Sequence, residues 1–589
     1  MSSLFKNGKF KGLVNFNLRQ IIYIFSRKRH WSKCSYLHGV SKSSLKSSTI
    51  GGIFDDAVRK NPDREYLVSR HENKRYTYAA MDSEVNKLCR SFNAVGLRRG
   101  DRLGVWLPNC ALFYSALIAA ARLGIISVTI NPAYQSDELK HSLTLAGVKC
   151  LVTMETFKTQ NYPAIIEQID PEIWKRSPNT PVESKTLPLL ETVVFNTENL
   201  INGAYNLESF YDLGSSKNYV IPNVQTDEGC NIQFTSGTTG GKPKAALLNH
   251  FSMINNMYFT MKRLGIYEYD VLHKFCCPMP LFHIFGLSAA ILGSMLTKST
   301  VYLPSAHFEP KATVDVITKE KCTFFFGTPT MYVDIISIFE KLSSEQREND
   351  VRLAITGGAP CSPNLMNKFK KLFPGVTLTS VFGMTETSPS TFQNLPNDTD
   401  ERILSTVGRI HDHVEAKVVD SNGDMVPFGT PGELLIRGYV TMIGYFNDAE
   451  KTKETIDSTR WLRTGDQFVL HEDGYGMAVG RIKEIIIRGG ENIFPVEIEH
   501  FLEVHPLILQ AQVYGVPDDR MGEEVCASVI VKEGATFTEA DIRAYSKGKI
   551  AHFKIPKYIF IEKNEFPKTA SGKVQKSKLK ELALRRIST

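Results

Sequence analysis

The sequence predicts an α/β protein. Its large N-terminal domain is read as helix-covered, mostly parallel sheets ending in a small β-barrel, and a smaller α+β domain follows at the C-terminus. Three observations carry this. At 589 residues the chain is longer than one hydrophobic core organises. From residue 53 onward, short β-branched runs alternate with helical patterns, as parallel strands joined by covering helices do. After about residue 403 the helices thin out, and strands separated by Gly, Asp and Asn turns take over.

The first segment stands apart in charge. Residues 1–54 hold ten of the 70 Lys and Arg and no acid, the first acid being Asp55. Val14, Leu18, Ile21 and Phe25 recur at helical spacing within a basic, serine-rich context. That is the composition of a mitochondrial presequence, so residues 1–50 are expected as presequence and disordered basic tail. Without the ten cations the net charge falls from +8 to −2, which argues against a nucleic-acid-binding surface. The apolar run Ile21–Phe25 is too short to cross a bilayer, and no longer run follows that could. The last residues, Arg586-Ile-Ser-Thr589, are not a peroxisomal S-K-L signal. Ten cysteines with no C-x-x-C pair read as reduced thiols.

Residues 51–480 form the expected N-terminal domain. Arg102–Leu107, Ile125–Ile130, Cys230–Thr235, Thr323–Phe326, Val351–Thr356 and Val376–Phe382 read as strands. Leu112–Leu123 reads as an alanine-rich helix, Ile254, Met257, Met261 and Leu264 trace another, and Pro329 opens a third. Glu415–Val419, Glu433–Arg437 and Gln467–Leu470 are the strands of the small barrel. The charged stretch 481–484 separates this from residues 485–589, where Ile485–Ile487, Ala511–Tyr514 and Cys526–Val531 read as strands among helices.

Loops rich in Gly, Ser, Thr and Lys fall at the strand ends. Thr235-Ser236-Gly237-Thr238-Thr239-Gly240-Gly241-Lys242-Pro243-Lys244 suits a triphosphate. Glycines admit backbone N–H groups, hydroxyls donate, and lysine offsets charge. It is not a Walker A loop, because Ser236 stands at the first glycine and Pro243 at the Mg²⁺-binding hydroxyl. Gly357-Gly358-Ala359-Pro360 permits a flat ligand ring to approach the backbone. Phe382-Gly383-Met-Thr385-Glu386 offers an aromatic face, a hydroxyl and a carboxylate. Asp466 follows Gly465 in a setting apt for two ribose hydroxyls, and Arg481 follows Gly480. Pro567–Lys573 is a second Gly/Ser/Lys loop.

Taken in order, these loops, with Gly480–Glu484 and Arg488-Gly489-Gly490-Glu-Asn492, resemble the adenylate-forming superfamily of acyl-CoA synthetases, luciferases and peptide-synthetase adenylation domains. The resemblance covers roughly residues 50–585. Asp518–Glu524 and Lys547–Lys557 are similar to the mitochondrial medium-chain acyl-CoA synthetases. The resemblance implies that a fatty acid attacks the α-phosphorus of ATP and that coenzyme A then displaces AMP from the acyl-adenylate. It implies Thr235–Lys244 on the β- and γ-phosphates, Glu386 on Mg²⁺, Thr385 on the α-phosphate, and Phe382 with Gly357–Pro360 around adenine. Asp466 would take the ribose, with Arg481 reaching the ribose or phosphates. Lys573 would bridge carboxylate and α-phosphate. Lys483 would be the hinge of a mobile C-terminal domain, and Arg488, Gly489 and Gly490 would line the thioester-forming site. His283, in Pro280–Gly286, reads either as part of the acyl path or as a satisfied core histidine. A ligase for aryl or branched acids and an inactive scaffold of the same fold are the alternatives.

Three departures from the superfamily pattern stand out. The phosphate loop is one residue longer, with Gly241 and Lys242 between Gly240 and Pro243. Ala245 replaces a glycine and would be strained if it needed positive φ. Phe382 stands where tyrosine is common, keeping the ring and losing the hydroxyl.

Overall fold

The computed structural model describes residues 33–235, 243–268, 271–359, 361–569 and 572–587. Two large sheets dominate it. In the eight-stranded sheet the order is Tyr205–Asn206, Thr192–Asn196, Cys150–Met154, Arg102–Val105, Ile126–Thr129, Gly229–Thr235, Lys244–Asn249 and Gly444–Tyr445. The first six are mutually parallel; Lys244–Asn249 runs antiparallel to them, and Gly444–Tyr445 pairs antiparallel to Lys244–Asn249. In the nine-stranded sheet, a parallel centre runs Thr377–Phe382, Leu353–Gly357, Phe324–Gly327, Lys274–Cys276, Thr300–Leu303 and Glu65–Ser69, flanked by antiparallel strands.

The largest core cluster joins residues of both sheets, among them Leu103 and Val152 of one and Phe275, Val301 and Leu353 of the other. Helices fill the space between. In Ala111–Leu123 all 13 residues are buried, which fits a helix apolar on every face. His250–Arg263 is amphipathic, with Met253, Ile254, Met257 and Met261 in the same cluster.

The segment expected to hold a small β-barrel is an antiparallel sheet around its own apolar cluster. Its strands run in the order Tyr36–His38, Val414–Val419, Gly432–Gly438, Leu462–Leu470 and Gly476–Arg481. Register shifts at Glu433/Leu435 and Gln467/Phe468 add the local twist that curls it.

For residues 33–50 the first strand corrects the expectation of a disordered tail. Tyr36 pairs with Lys417 and His38 with Glu415. Ser35 is buried, donating its N–H to the Val426 carbonyl at 2.7 Å and its hydroxyl to the Pro427 carbonyl at 2.9 Å. The Lys46 N–H donates to Asn255 Oδ1 at 2.6 Å, and Thr49 caps the helix Ile50–Lys60. Composition misses this because an edge strand is held by backbone hydrogen bonds, which leave no hydrophobic signature. The presequence helix traced by Val14 to Phe25 lies outside the described residues.

The C-terminal domain is α+β. Its sheet orders Glu491–Ile493, Ile486–Arg488, Gly522–Val531 and Ile508–Asp518, with Tyr558–Ile561 added parallel to Gly522–Val531. Helices Pro495–Glu503, Glu539–Ser546 and Lys576–Ile587 complete it.

Candidate active site

Parallel strands place their following loops along one edge, where ligands of α/β sheets gather. Moving across the nine-stranded sheet, Thr377–Phe382 leads to Gly383–Glu386 and Leu353–Gly357 leads to Gly358 and Ala359. Phe324–Gly327 leads to Thr328, and Lys274–Cys276 leads to the turn before His283. Beside this edge, Gly229–Thr235 pairs with Lys244–Asn249, with Thr235 opposite Lys244. The phosphate loop therefore closes an antiparallel hairpin, whereas a Walker A loop enters a helix. Ser236, Gly237, Thr238, Thr239, Gly240, Gly241, Lys242 and Pro360 lie outside the described residues. Ala245 is a buried strand residue opposite Phe234 and is not among the positive-φ residues, so the expected strain does not arise.

One polar cluster lies across the two sheets. Glu386, in the short 3₁₀ turn Thr385–Thr387, is buried. It accepts a 2.8 Å hydrogen bond at Oε1 from the Tyr445 hydroxyl. The Tyr445 hydroxyl oxygen accepts in turn from Lys244 Nζ at 2.8 Å, whose ammonium also lies 4.3 Å from the Tyr445 ring centroid. Burial lowers the Lys244 pKa, and Lys451 and Lys483 add to the shift, while Glu386 and Asp448 oppose it. Burial, with Glu386 nearby, raises that of Tyr445, which keeps its proton to donate. Tyr445 is a residue that sequence reasoning missed. It sits in a two-residue strand, Gly444–Tyr445, too short for any alternation to reveal, and a lone Gly-Tyr pair is the sole signal.

A second cluster forms where the curled antiparallel sheet meets the C-terminal domain. Asp466 and Arg481 are direct partners in the antiparallel register, and the Arg481 Nε–Asp466 Oδ1 ion pair is 2.8 Å. Arg481 Nη1 also donates to the Thr464 carbonyl at 3.0 Å, fixing the guanidinium. Burial pushes Asp466 up to about 6, against the pull of Arg481 and Lys573 and with help from Glu386 and Glu484. Lys573 arrives from the last loop. Its side chain keeps contact with water, yet the protein around it removes enough solvent to lower its pKa, and Arg481 adds repulsion. His283 feels the same ammonium: burial first, then Lys573, lower it to about 4. Its Nδ1 accepts from the Phe285 N–H at 3.2 Å as the cap of the helix Ile284–Leu287, leaving the neutral ring's proton on Nε2. His283 is thus a half-buried capping residue that also lies near Lys573.

The remaining expected residues divide. Phe382 is half-buried, with one side against Phe468 at 5.3 Å between ring centroids. Gly357 lies opposite Val381 in the neighbouring strand, so Gly357–Ala359 and Phe382 are adjacent. The Thr235 hydroxyl is buried with no partner among the described residues. Arg488 does not join the cluster: it forms a two-pronged ion pair with Glu524, at 2.6 and 3.1 Å. Gly489 and Gly490, at φ of 58° and 89°, form the two-residue turn between Arg488 and Glu491, where two positive φ angles favour glycine.

Among the described residues no group of three or more His, Cys, Asp or Glu could hold a metal ion. Mg²⁺ needs no such cage, since it keeps waters and phosphate ligands beside one or two carboxylates. Glu386 fits that demand, with Oε1 oriented by Tyr445 and Oε2 as the second hard donor.

The AMP-binding enzyme family matches residues 54–446, and the AMP-binding enzyme C-terminal domain matches residues 497–573. Over 93% of its length the chain is 43% identical to the mitochondrial medium-chain acyl-CoA ligase ACSF2 of Danio rerio, covering 90% of that protein. It is 39% identical to the Homo sapiens ACSF2, over 94% and 90% of the two chains. It is 34% identical to the putative acyl-CoA synthetase YngI of Bacillus subtilis, over 92% and 98%. Two solved structures share the fold at 24% identity. ATP-bound MatB from Rhodopseudomonas palustris has a TM-score of 0.77, over 91% of this chain and 99% of that one. The anthranilate CoA ligase AuaEII in complex with anthranoyl-AMP has 0.78, over 93% and 99%.

Proposed function

We propose an AMP-forming ligase: the chain belongs to the AMP-binding enzyme family, and its site suits joining two anions through an adenylate. A medium-chain fatty carboxylate attacks the α-phosphorus of ATP, giving acyl-adenylate and pyrophosphate. The thiol of coenzyme A then attacks the acyl carbon, releasing AMP and a proton and leaving the thioester. The observation that carries this reading is the convergence of Lys573 with Asp466, Arg481 and His283, residues far apart in sequence.

The first step brings a carboxylate against a polyanion, so charge neutralisation is its main demand. Lys573 is the ammonium placed to bridge the carboxylate and the α-phosphate. Lys244, held by Tyr445, and the hairpin residues Thr235–Lys244 face the β- and γ-phosphates. Asp466 accepts from the ribose hydroxyls, and its pairing with Arg481 keeps it ionised at neutral pH. Thr385 donates toward the α-phosphate, while Phe382 and Gly357–Pro360 take the adenine ring. The neutral Nε2–H of His283 is a donor for the substrate carboxylate. Glu386 would hold Mg²⁺, which would supply charge neutralisation at the phosphates. Lys483, in the linking stretch 481–484, serves as the hinge on which residues 485–589 turn, and Arg488–Gly490 then serve the thioester step. The relatives named mitochondrial, together with the basic N-terminal composition, support a mitochondrial protein, with the matrix as its compartment.

The test is ATP–pyrophosphate exchange over a panel of straight, branched and aryl acids, repeated with coenzyme A and thioester detection. Octanoate-length acids are expected to give the largest kcat/KM. A preference for aryl or branched acids would replace the substrate class, and no exchange with any acid would sink the ligase reading.

A further inference from the structure

Lys573 acts from a loop of the C-terminal domain, so something must hold that loop against the large domain while the first step proceeds. The loop closes on itself: the Thr569 N–H donates to the Lys573 carbonyl at 2.7 Å and the Gly572 N–H to the Thr569 carbonyl at 2.9 Å. Gln575 N–H donates back to the Pro567 carbonyl at 2.7 Å, and Lys568 and Val574 form an antiparallel bridge. These bonds tie the described residues on either side together, so one anchor next to Lys573 sets where its ammonium goes.

That anchor comes from the helix Pro329–Phe339. Thr328 is its N-cap, and Thr330 is the second helical residue. The Thr330 hydroxyl donates to the Gly572 carbonyl at 2.9 Å, across 242 positions of sequence. A hydroxyl has one proton. With that proton given to Gly572, the 2.9 Å contact between Thr328 and Thr330 is a bond donated by Thr328. Thr328 Oγ1 meanwhile accepts from the Met331 N–H at 3.4 Å, so the helix cap itself orients the chain of hydroxyls. The fit is close: at Gly572, where φ is 84°, an added Cβ would meet Thr328 Oγ1 at 3.1 Å and Thr330 Oγ1 at 3.2 Å. One turn further along, Asp334 faces Lys568 of the same loop, and its pKa is raised by burial against the pull of that lysine.

We propose that Thr330 is a positioning residue for acyl-adenylate formation: its hydroxyl docks the loop through the Gly572 carbonyl and so sets the reach of Lys573. Neither the superfamily resemblance nor the expected site residues include it. The inference rests on the ligase reading through the role of Lys573.

Thr330→Val keeps the shape and removes the donor, and Thr330→Ser keeps the donor. In pyrophosphate exchange, Thr330→Val is expected to lower kcat by about three- to tenfold, the worth of one neutral hydrogen bond, with the KM for ATP little changed. Thioester formation from supplied acyl-adenylate should be unaffected, and Thr330→Ser should restore exchange. Equal loss in both half-reactions, or no loss in exchange, would overturn the proposal. Amide hydrogen exchange of residues 567–575 gives a readout independent of turnover: it should quicken in Thr330→Val and not in Thr330→Ser. If the unmodified protein activated no acid, the ligase reading would fall alone, and unchanged amide exchange in Thr330→Val would separately remove the docking.

Discussion

At the scale of single residues, the site is governed by how burial and neighbouring charges set protonation. In the proposed reading Asp466 takes the ribose through its ionised form, while burial has moved its pKa up to about 6. ATP affinity is therefore expected to weaken as the pH falls through about 6, where a raised carboxylate takes up its proton, and to be constant above about 7. The pH dependence of the ATP KM checks this, and Asp466→Asn should raise KM and erase the inflection. His283 behaves oppositely: with its pKa at about 4 it is neutral across that range and adds no inflection near 6.5. Tyr445→Phe removes the hydroxyl that links Lys244 to Glu386 while keeping the ring under the ammonium. It is expected to raise the Mg²⁺·ATP concentration needed for half-maximal rate by about ten- to a hundredfold, the worth of a hydrogen bond to a charged group, at unchanged melting temperature. An unchanged requirement would leave the bridge without a role. Asp466 and Glu386 were legible because their neighbours in sequence carry the motif. Tyr445 and Thr330 were not, because what makes them useful is a partner 59 and 242 residues away.

At the scale of elements, backbone pairing decides what composition leaves open. Ala245, at the end of the phosphate loop, sits in an extended strand where a methyl side chain costs nothing. Gly489 and Gly490 read in sequence as a ligand loop, and the register of their hairpin gives them a turn to make. The strand Tyr36–His38 closes one edge of the curled sheet, and the chain must then pass close by at Gly39. A Cβ there would fall 1.9 Å from the His411 carbonyl oxygen, which is backbone and has little room to yield. Gly39→Ala is expected to detach this strand and lower the melting temperature by at least about 2 °C, equivalent to about 1 kcal/mol in a large domain. Pyrophosphate exchange measured well below the melting temperature should persist, since the strand lies on the edge away from Asp466; loss of exchange at full stability would contradict this.

At the scale of the whole molecule, the two domains meet over the reacting centre. Besides the Thr330 contact, Lys576 pairs with Glu499 of the C-terminal domain at 2.7 Å and with Glu484 of the linking stretch at 3.6 Å. Its pKa is raised despite burial, because both carboxylates favour its charged form. This arrangement brings Lys573 near Asp466 and pairs Arg488 with Glu524, which on the proposed reading suits the first half-reaction. Lys573→Ala is accordingly expected to abolish acyl-adenylate formation and to spare thioester formation from supplied acyl-adenylate. Equal losses in the two half-reactions would mean that one arrangement of the domains serves both.

The α/β class, the order of the loops and the identity of the charged groups were set by the sequence alone, because strand–helix alternation and glycine-rich strand ends are local properties. Strands such as Leu353–Gly357 and Thr377–Phe382 were readable for that reason, and so were the loops that follow them. Partnership is not local. Only the tertiary structure brought Lys573 to Asp466 and His283, joined Lys244 to Glu386 through Tyr445, and drew residues 33–50 into the fold. Each of these is an approach across tens to hundreds of residues, decided by which backbones pair and which surfaces pack.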